Sequence, residues 1–474
     1  MLTRLEVDGF KNLLGLKVDF GPFTCIAGPN GVGKSNLFDV IQFLSLLADN
    51  EIMKAAQMVR GTEGRGADPK ELFWTDGVES ASRLSFAVEM IVPRLVRDDF
   101  GREAKPTTSF LRYELELGYE KPAGMGHLGR LVLHQERLEN IERGDADEHL
   151  RWKHDKKSFR DQVIMGGRRG KAFISTEVEK DGQRTIKVHL DGGSRGQPRP
   201  SPADTAPRTI VCTTTTASDP TILAARREMQ SWKLIALEPS AMRSPDSFSA
   251  NAYVDTNGAH LAATLYRQAS SPGLGGEVAP DRVYHAVASR LTELIEATAI
   301  RVDRDDRREL LTLEVKQARG GFLPARSLSD GTLRFLALCI LGNDPRVEGL
   351  LCMEEPENGI HPERIGAMVD LVRGLAVEPD RRTGDDNPFR QAIVNTHSPA
   401  FVQLQNTDDL LFAKLVAVRM PSGKPARTMR LLPLRETWRT HGGERGVGRA
   451  EILAYLTSPP GTQLTLPDMI DETP

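Results

Sequence analysis

The chain has 474 residues, 39% of them apolar and 27% charged, with a formal net charge of -3; this composition suits a folded protein and excludes wholesale disorder. So small a net charge supplies no global basic field for nucleic acid or an anionic membrane, so any such contact has to come from a local patch. The length allows two or three domains, no apolar run reaches membrane-spanning length, and the four cysteines (Cys25, Cys212, Cys339, Cys352) form no C-x-x-C pair. Three of them sit in apolar runs, and the opening Met1–Glu6 already alternates like a strand rather than a leader. The expected location is the cytoplasm, without membrane contact.

In chain order, residues 2–20 read as two strands, with Leu5 and Val7, then Leu16, Val18 and Phe20, alternating with polar neighbours around a Gly9–Gly15 bend. Phe23–Ala27 is a short apolar run, as a buried strand should be. Gly28-Pro29-Asn30-Gly31-Val32-Gly33-Lys34-Ser35 follows, with Asn36 behind it. This is the pattern G-x-x-x-x-G-K-S, and Leu37, Val40, Ile41, Leu44 and Leu47 then recur at helical spacing. A strand, a glycine loop and a helix in that order aim loop amides at a phosphate on the helix's positive end. Lys34 would reach the outer phosphates and the Ser35 hydroxyl would hold Mg²⁺. The bland alternative is a glycine turn with no ligand. Gly61–Gly66 is a second glycine-rich loop, and Leu84–Met90 and Leu111–Leu117 are alternating strands of an antiparallel sheet.

From about Gln135 the character changes. Residues 136–150 carry six acids against two arginines, and residues 151–171 carry eight Lys/Arg against Asp155 and Asp161. The second stretch suits nucleic-acid phosphates; equally, the two stretches can neutralise each other on a solvated surface, and with only Trp152 and Phe159 interleaved that reading is preferred. Asp181-Gly182 marks a hairpin between 174–178 and 186–190, and Gly192–Pro207, rich in Gly, Pro, Ser and Arg, is expected to be a mobile loop. The expected organisation is a first lobe at 1–134, an inserted subdomain at 135–208 and a second lobe at 209–474. In the second lobe, Trp232–Leu237 reads as a strand, Val283–Ala297 as a helix and Leu310–Val315 as a strand.

Three further motifs follow. Ser327-Leu328-Ser329-Asp330-Gly331-Thr332 opens a helix bearing Leu333, Leu336, Ala337 and Ile340, and offers a hydroxyl and amides to an anion, or merely a cap. Leu350–Met353 leads into Glu354-Glu355-Pro356-Glu357-Asn358: an apolar parallel strand delivering carboxylates to its C-terminal edge. One acid there can hold Mg²⁺ and the next can orient or deprotonate water. Gln391–Val394 leads into Asn395-Thr396-His397-Ser398-Pro399, where His397 can polarise a terminal phosphate.

The order P-loop, LSDGT, EEPEN, THSP resembles the ABC-type ATPase heads of the RecF, SMC and Rad50 group. It is most similar to the bacterial branch holding the OLD-family ATPases, which Gly9-Phe10-Lys11-Asn12 also resembles. The resemblance implies a two-lobed α/β P-loop fold with an antiparallel β subdomain, ATP and Mg²⁺ as ligands, and hydrolysis to ADP. It implies nucleotide contacts from Lys11, Asn12, Gly28, Asn30 to Asn36, Ser329 and Gly331, metal contacts from Ser35 and Glu354, and catalysis by Glu355, His397 and Lys34. Glu357–Pro362 would be the D-loop. It further implies a head-to-tail homodimer or a higher oligomer of such dimers, the signature of one copy closing on the P-loop of the other, and a separate effector, a nuclease or toxin, of the kind paired with such ATPases in phage-defence systems such as Septu or PARIS. DNA repair, with nucleic acid as partner, is the alternative. Two departures stand out: Glu354 replaces the usual Walker B aspartate, and neither Gln42 nor Gln57 can be placed as a Q-loop. After Pro399 no Asp-x-Asp follows, so no Toprim-type nuclease centre is expected, and the polar tail should be flexible.

Overall fold

The computed structural model describes residues 1–59, 68–77, 79–121, 129–166, 172–191, 197–272, 279–318, 320–420, 425–440 and 446–457. The chain divides into two compact units, Met1–Lys233 with Glu378–Thr383 and Thr407–Pro474, and Leu234–Val377 with Gly384–Asn406. The expected boundaries at 134/135 and 208/209 do not fall there; the first cuts through the strand Arg130–Asn140.

The first unit contains an eight-stranded antiparallel sheet. Its order is Arg199–Pro202, Arg184–Val188, Ile174–Val178, Arg130–Asn140, Phe110–Glu120, Arg83–Ile91, Leu2–Asp8, Leu16–Asp19. Period-2 alternation puts Leu5, Val7, Leu84, Phe86, Val88, Tyr113 and Leu115 into the core. The opposite face carries a cross-strand ladder in which Arg112 reaches Glu6 (3.3 Å) and Glu89 (3.1 Å) and Arg4 reaches Asp19 (2.9 Å). Residues expected to form an inserted subdomain therefore extend the same sheet. Arg199–Pro202 corrects part of the expected mobile loop: it is a strand, and as the sheet's edge it tolerates Pro200 and Pro202. Residues 192–196, Gly61–Gly66 and the tail beyond 457 lie outside the described residues.

Lys34–Leu47 forms the helix after the glycine loop, and its Phe43 meets Phe10 and Phe86 at centroid distances of 6.2 and 5.8 Å. That cluster seats the helix on the sheet's inner face. The strand before the loop, Phe23–Ala27, pairs in parallel with Leu410–Arg419, which pairs antiparallel with Pro425–Pro433. The residues after Pro399 thus supply a strand to the loop's own sheet. Arg439, 4% exposed, ties that region down through the carbonyls of Asp408 and Asp19 and the hydroxyl of Thr24. Burial pulls its guanidinium down to about 10.

In the second unit the parallel strands Gly349–Glu354 and Arg390–Thr396 run in register from Gly349–Arg390 to Glu354–Asn395. Both are almost wholly buried, as strands of a parallel pair should be, including the polar Arg390, Gln391, Asn395 and Thr396 at the ends of the second. Helices Leu261–Ser270, Pro280–Leu291, Asp330–Gly342 and Ile365–Arg373 accompany them, with an antiparallel sheet of Asp246–Ser247, Leu310–Gln317, Ala297–Asp305 and Phe322–Pro324. The helix expected to run to Ala297 stops at Leu291, because the run Thr298–Val302 alternates and is rich in β-branched residues, and it enters the sheet instead.

Candidate functional site

In the first unit the loop from Gly28 to Gly33 is shaped by what surrounds it. Gly28 packs against Leu410–Arg419, and a Cβ there would lie 2.8 Å from the Ala413 carbonyl. Gly31 (φ +79°) and Gly33 (φ +101°) occupy the left-handed region, and at Gly33 a methyl would also overlap the Asn12 amide. Asn12 fills that space usefully: its Nδ2 donates to the Val32 carbonyl (2.9 Å) and its Oδ1 accepts from Asn36 Nδ2 (2.8 Å). Lys11, itself at φ +46°, sends its ammonium 2.7 Å to Asp39, fully buried in the helix. The Lys34 ammonium is buried, donating to the carbonyls of Gly28 (2.6 Å) and Pro29 (2.8 Å). Asn30 and Gly31 are exposed, and Ser35 and Asn36 are half-buried in the helix's first turn.

That first turn fits a phosphate. The helix has fourteen residues, Gly33 at its N-cap offers no side chain, and no acid stands in the first turn, so the positive end of the dipole is left to an anion. Mg²⁺ in such sites is held by one hydroxyl, phosphate oxygens and water rather than a protein cage. Among the described residues no three His, Cys, Asp or Glu gather as a cage.

In the second unit the carboxylates leave the Gly349–Glu354 strand together. Glu354 is exposed at its last position, and Glu355 turns the chain at φ +46°, a conformation costing a non-glycine about 1–2 kcal/mol. Four hydrogen bonds hold it there. Its N–H donates to the Asn395 carbonyl (3.0 Å) and its carbonyl accepts from Asn358 N (3.0 Å). Its carboxylate accepts from Asn358 Nδ2 (2.8 Å) and from His397 Nδ1 (2.5 Å). With Nδ1 as the donor of the second bond, Nε2 is left for a ligand. Just beyond, Glu357 is buried and accepts from the Thr396 hydroxyl, and burial raises its carboxyl above the ordinary range.

The signature stretch is built differently from the P-loop. Ser329 caps the Asp330–Gly342 helix, its hydroxyl accepting from Thr332 N (3.2 Å), and Asp330 pairs with Arg243 at 2.5 Å. Gly331 lies so close to the Gly359 carbonyl that no Cβ fits between them, and Arg334 donates to the Asn358 carbonyl at 2.8 Å. The signature helix and the segment after Glu355 are thus in direct contact.

The first unit therefore gathers Lys11, Asn12, Gly28, Asn30, Gly31, Val32, Gly33, Lys34, Ser35 and Asn36, and the second gathers Ser329, Gly331, Glu354, Glu355 and His397. Sequence reasoning missed Asp39, and saw Asn358, Glu357 and Thr396 only as parts of motifs; for Asp39, a lone acid on the apolar face of a helix was the one available signal. The basic stretch is partly consumed locally, Lys156 and Arg160 pairing with Asp147 at 2.6 and 2.7 Å.

A strand–glycine loop–helix with a buried lysine, and a parallel strand ending in paired carboxylates beside a histidine, define a P-loop ATPase of the AAA/ABC class. A family model described as "AAA domain, putative AbiEii toxin, Type IV TA system" matches residues 23–89 and 223–403, just over half of the chain. The chain belongs to that family, and both motif sets lie within the matched residues. It is also 32% identical over 126 residues to structural maintenance of chromosomes protein 1 of Schizosaccharomyces pombe, covering 25% of this chain and 8% of that protein. With the DNA replication and repair protein RecF of Lactobacillus gasseri it shares 37% identity over 71 residues, 14% of this chain and 19% of that protein. The chain spans less than a fifth of the length of the curated relatives it matches. A crystal structure of an SMC head bound to the C-winged helix domain of ScpA aligns with 92% of this chain and 99% of its own, at 13% identity and a TM-score of 0.46. Among the described residues no helix is long and apolar enough to cross a membrane.

Proposed function

We propose that the chain binds ATP with Mg²⁺ and hydrolyses it to ADP and phosphate, and that its nucleotide state switches a separate effector protein. The observation that carries the reading is Glu355, held in a costly backbone conformation by four hydrogen bonds with its carboxylate on His397; strain of this kind persists where geometry is used. In this reading the loop amides and Lys34 bind the β- and γ-phosphates, with Lys11, Asn12 and Asn36 bracing the loop. Ser35 and Glu354 hold Mg²⁺, which neutralises phosphate charge. Glu355 orients water and takes its proton, and His397 presents Nε2 to the terminal phosphate. Ser329 and Gly331 serve the P-loop of a second copy, so the working form is a dimer, and the effector role, with phage defence as its setting, follows the family resemblance. Glu355→Gln should lower phosphate release on the order of 1000-fold while ATP affinity stays within about twofold. Turnover within about tenfold of the parent chain would sink the assignment.

The likeness to RecF favours a second reading, a repair ATPase that contacts DNA. It requires hydrolysis to respond to DNA ends or gaps, and neutralising Lys153, Lys156, Lys157 and Arg160 together should then weaken a salt-dependent DNA shift.

A further inference from the structure

Two stretches of chain in the second unit are joined by several rungs. One is the exposed bond between His397, 42% exposed, and Glu355, 25% exposed. Another is the backbone bond from Glu355 N to Asn395 O at 3.0 Å. The third is buried: Glu357, 6% exposed, accepts a hydrogen bond from the Thr396 hydroxyl on Oε1, and the same hydroxyl accepts from Ser398 N at 2.9 Å. Among the described residues the other oxygen of Glu357, Oε2, has no hydrogen-bond partner. A buried carboxyl with an orphan oxygen costs stability that an apolar residue of similar size would not, so packing gives no account of it. Its neighbours do: Glu357 follows Glu355 by two residues and Thr396 immediately precedes His397. A half-exposed His–Glu bond in water is free to break, whereas a buried rung one residue away fixes where the imidazole starts from.

We propose that Glu357 is a positioning residue for ATP hydrolysis: by accepting the Thr396 hydroxyl it fixes the strand end that carries His397, and so sets the imidazole against Glu355. The proposal rests on the reading that Glu355 and His397 act on ATP. It predicts that only the acceptor atom matters, not the charge, because a glutamine at 357 still offers an oxygen to Thr396.

The test uses the full chain with Glu357→Ala, Glu357→Gln, Thr396→Val and the Ala/Val double substitution. Steady-state hydrolysis is measured together with the imidazole ¹⁵N resonances of His397. Glu357→Ala and Thr396→Val should each lower kcat on the order of 10- to 100-fold, the scale of a small misplacement, with KM within about twofold. The double substitution should be no worse than either single one. Glu357→Gln should stay within about threefold of the parent. The Nδ1 resonance should move in the alanine and valine variants and stay in place in the glutamine variant. Parent-like kcat in Glu357→Ala, losses that multiply in the double, or a glutamine variant as poor as the alanine would each overturn the proposal. If Glu357→Ala does not fold, Thr396→Val decides in its place. If the parent chain hydrolyses no ATP, the functional reading falls, while the His397 resonance still decides the positioning claim.

Discussion

The two groups of residues, one in each unit, are held by different means. In the first unit the loop is a backbone construction: glycines at positive φ, carbonyls folded around Lys34, and a neighbouring strand that leaves no room for a Cβ at Gly28. In the second unit Glu355 and His397 are placed by two backbone bonds together with side chains hydrogen-bonding to side chains, through Asn358, Thr396 and Glu357. A backbone cradle suits a ligand that is always the same phosphate. Side-chain placement suits a reacting pair, which has to be aimed more finely and can be tuned one residue at a time.

Lys34→Ala should weaken ATP binding on the order of 100-fold, read by titration calorimetry, because a charge-assisted contact with phosphate is lost. Glu355→Gln should leave binding alone; equal losses from both would erase the distinction. Next, Lys11→Ala should destabilise the first unit by about 2–3 kcal/mol in denaturant unfolding, since the fully buried Asp39 loses its ion pair. Asp39→Ala should cost less, because Lys11, 20% exposed, can reach water. At Gly33 an alanine should cost roughly 1 kcal/mol more than at Gly31, since both pay for positive φ but only the first meets Asn12. Thermal midpoints of the two variants decide this.

A pH series sharpens it further. Burial pushes Glu136 up to about 7 although Ile210 and Val211 amides donate to it at 2.7 and 3.1 Å. A carboxyl raised above its unfolded value of 4.5 stabilises fully below that pH, and the benefit disappears as pH climbs through 7. The first unit should therefore lose on the order of 3 kcal/mol between pH 4.5 and 8, and Glu136→Gln should flatten the slope. A slope unchanged in the variant would place the titration elsewhere.

What could be read from sequence was local. The P-loop, the acid pair and the histidine each end a recognisable strand, so motif and element announce one another. Glu136 was counted among solvated acids because its neighbours are charged. In the fold, the register slips between Glu116 and Leu117, opposite His134, and after that bulge the inward positions are Glu136 and Leu138. No alternation count anticipates a bulge. The edge strand Arg199–Pro202 was hidden by prolines, which only an edge allows. Thr396 with Glu357 and Lys11 with Asp39 join residues 39 and 28 positions apart, and such pairings exist only once the chain has folded.

The strand packed against Gly28 carries a consequence for how the protein is made. Ala27 pairs with Phe412, and Ala413 closes on the glycine loop, so the loop lacks this neighbour until translation has passed residue 413. At ~5–20 residues per second that leaves the apolar strand Phe23–Ala27 waiting some tens of seconds during translation. Pairing across so long a separation is slow to nucleate. A nascent chain interrupted short of Leu410 would therefore emerge with the whole sequence of a P-loop and without the strand that closes on Gly28.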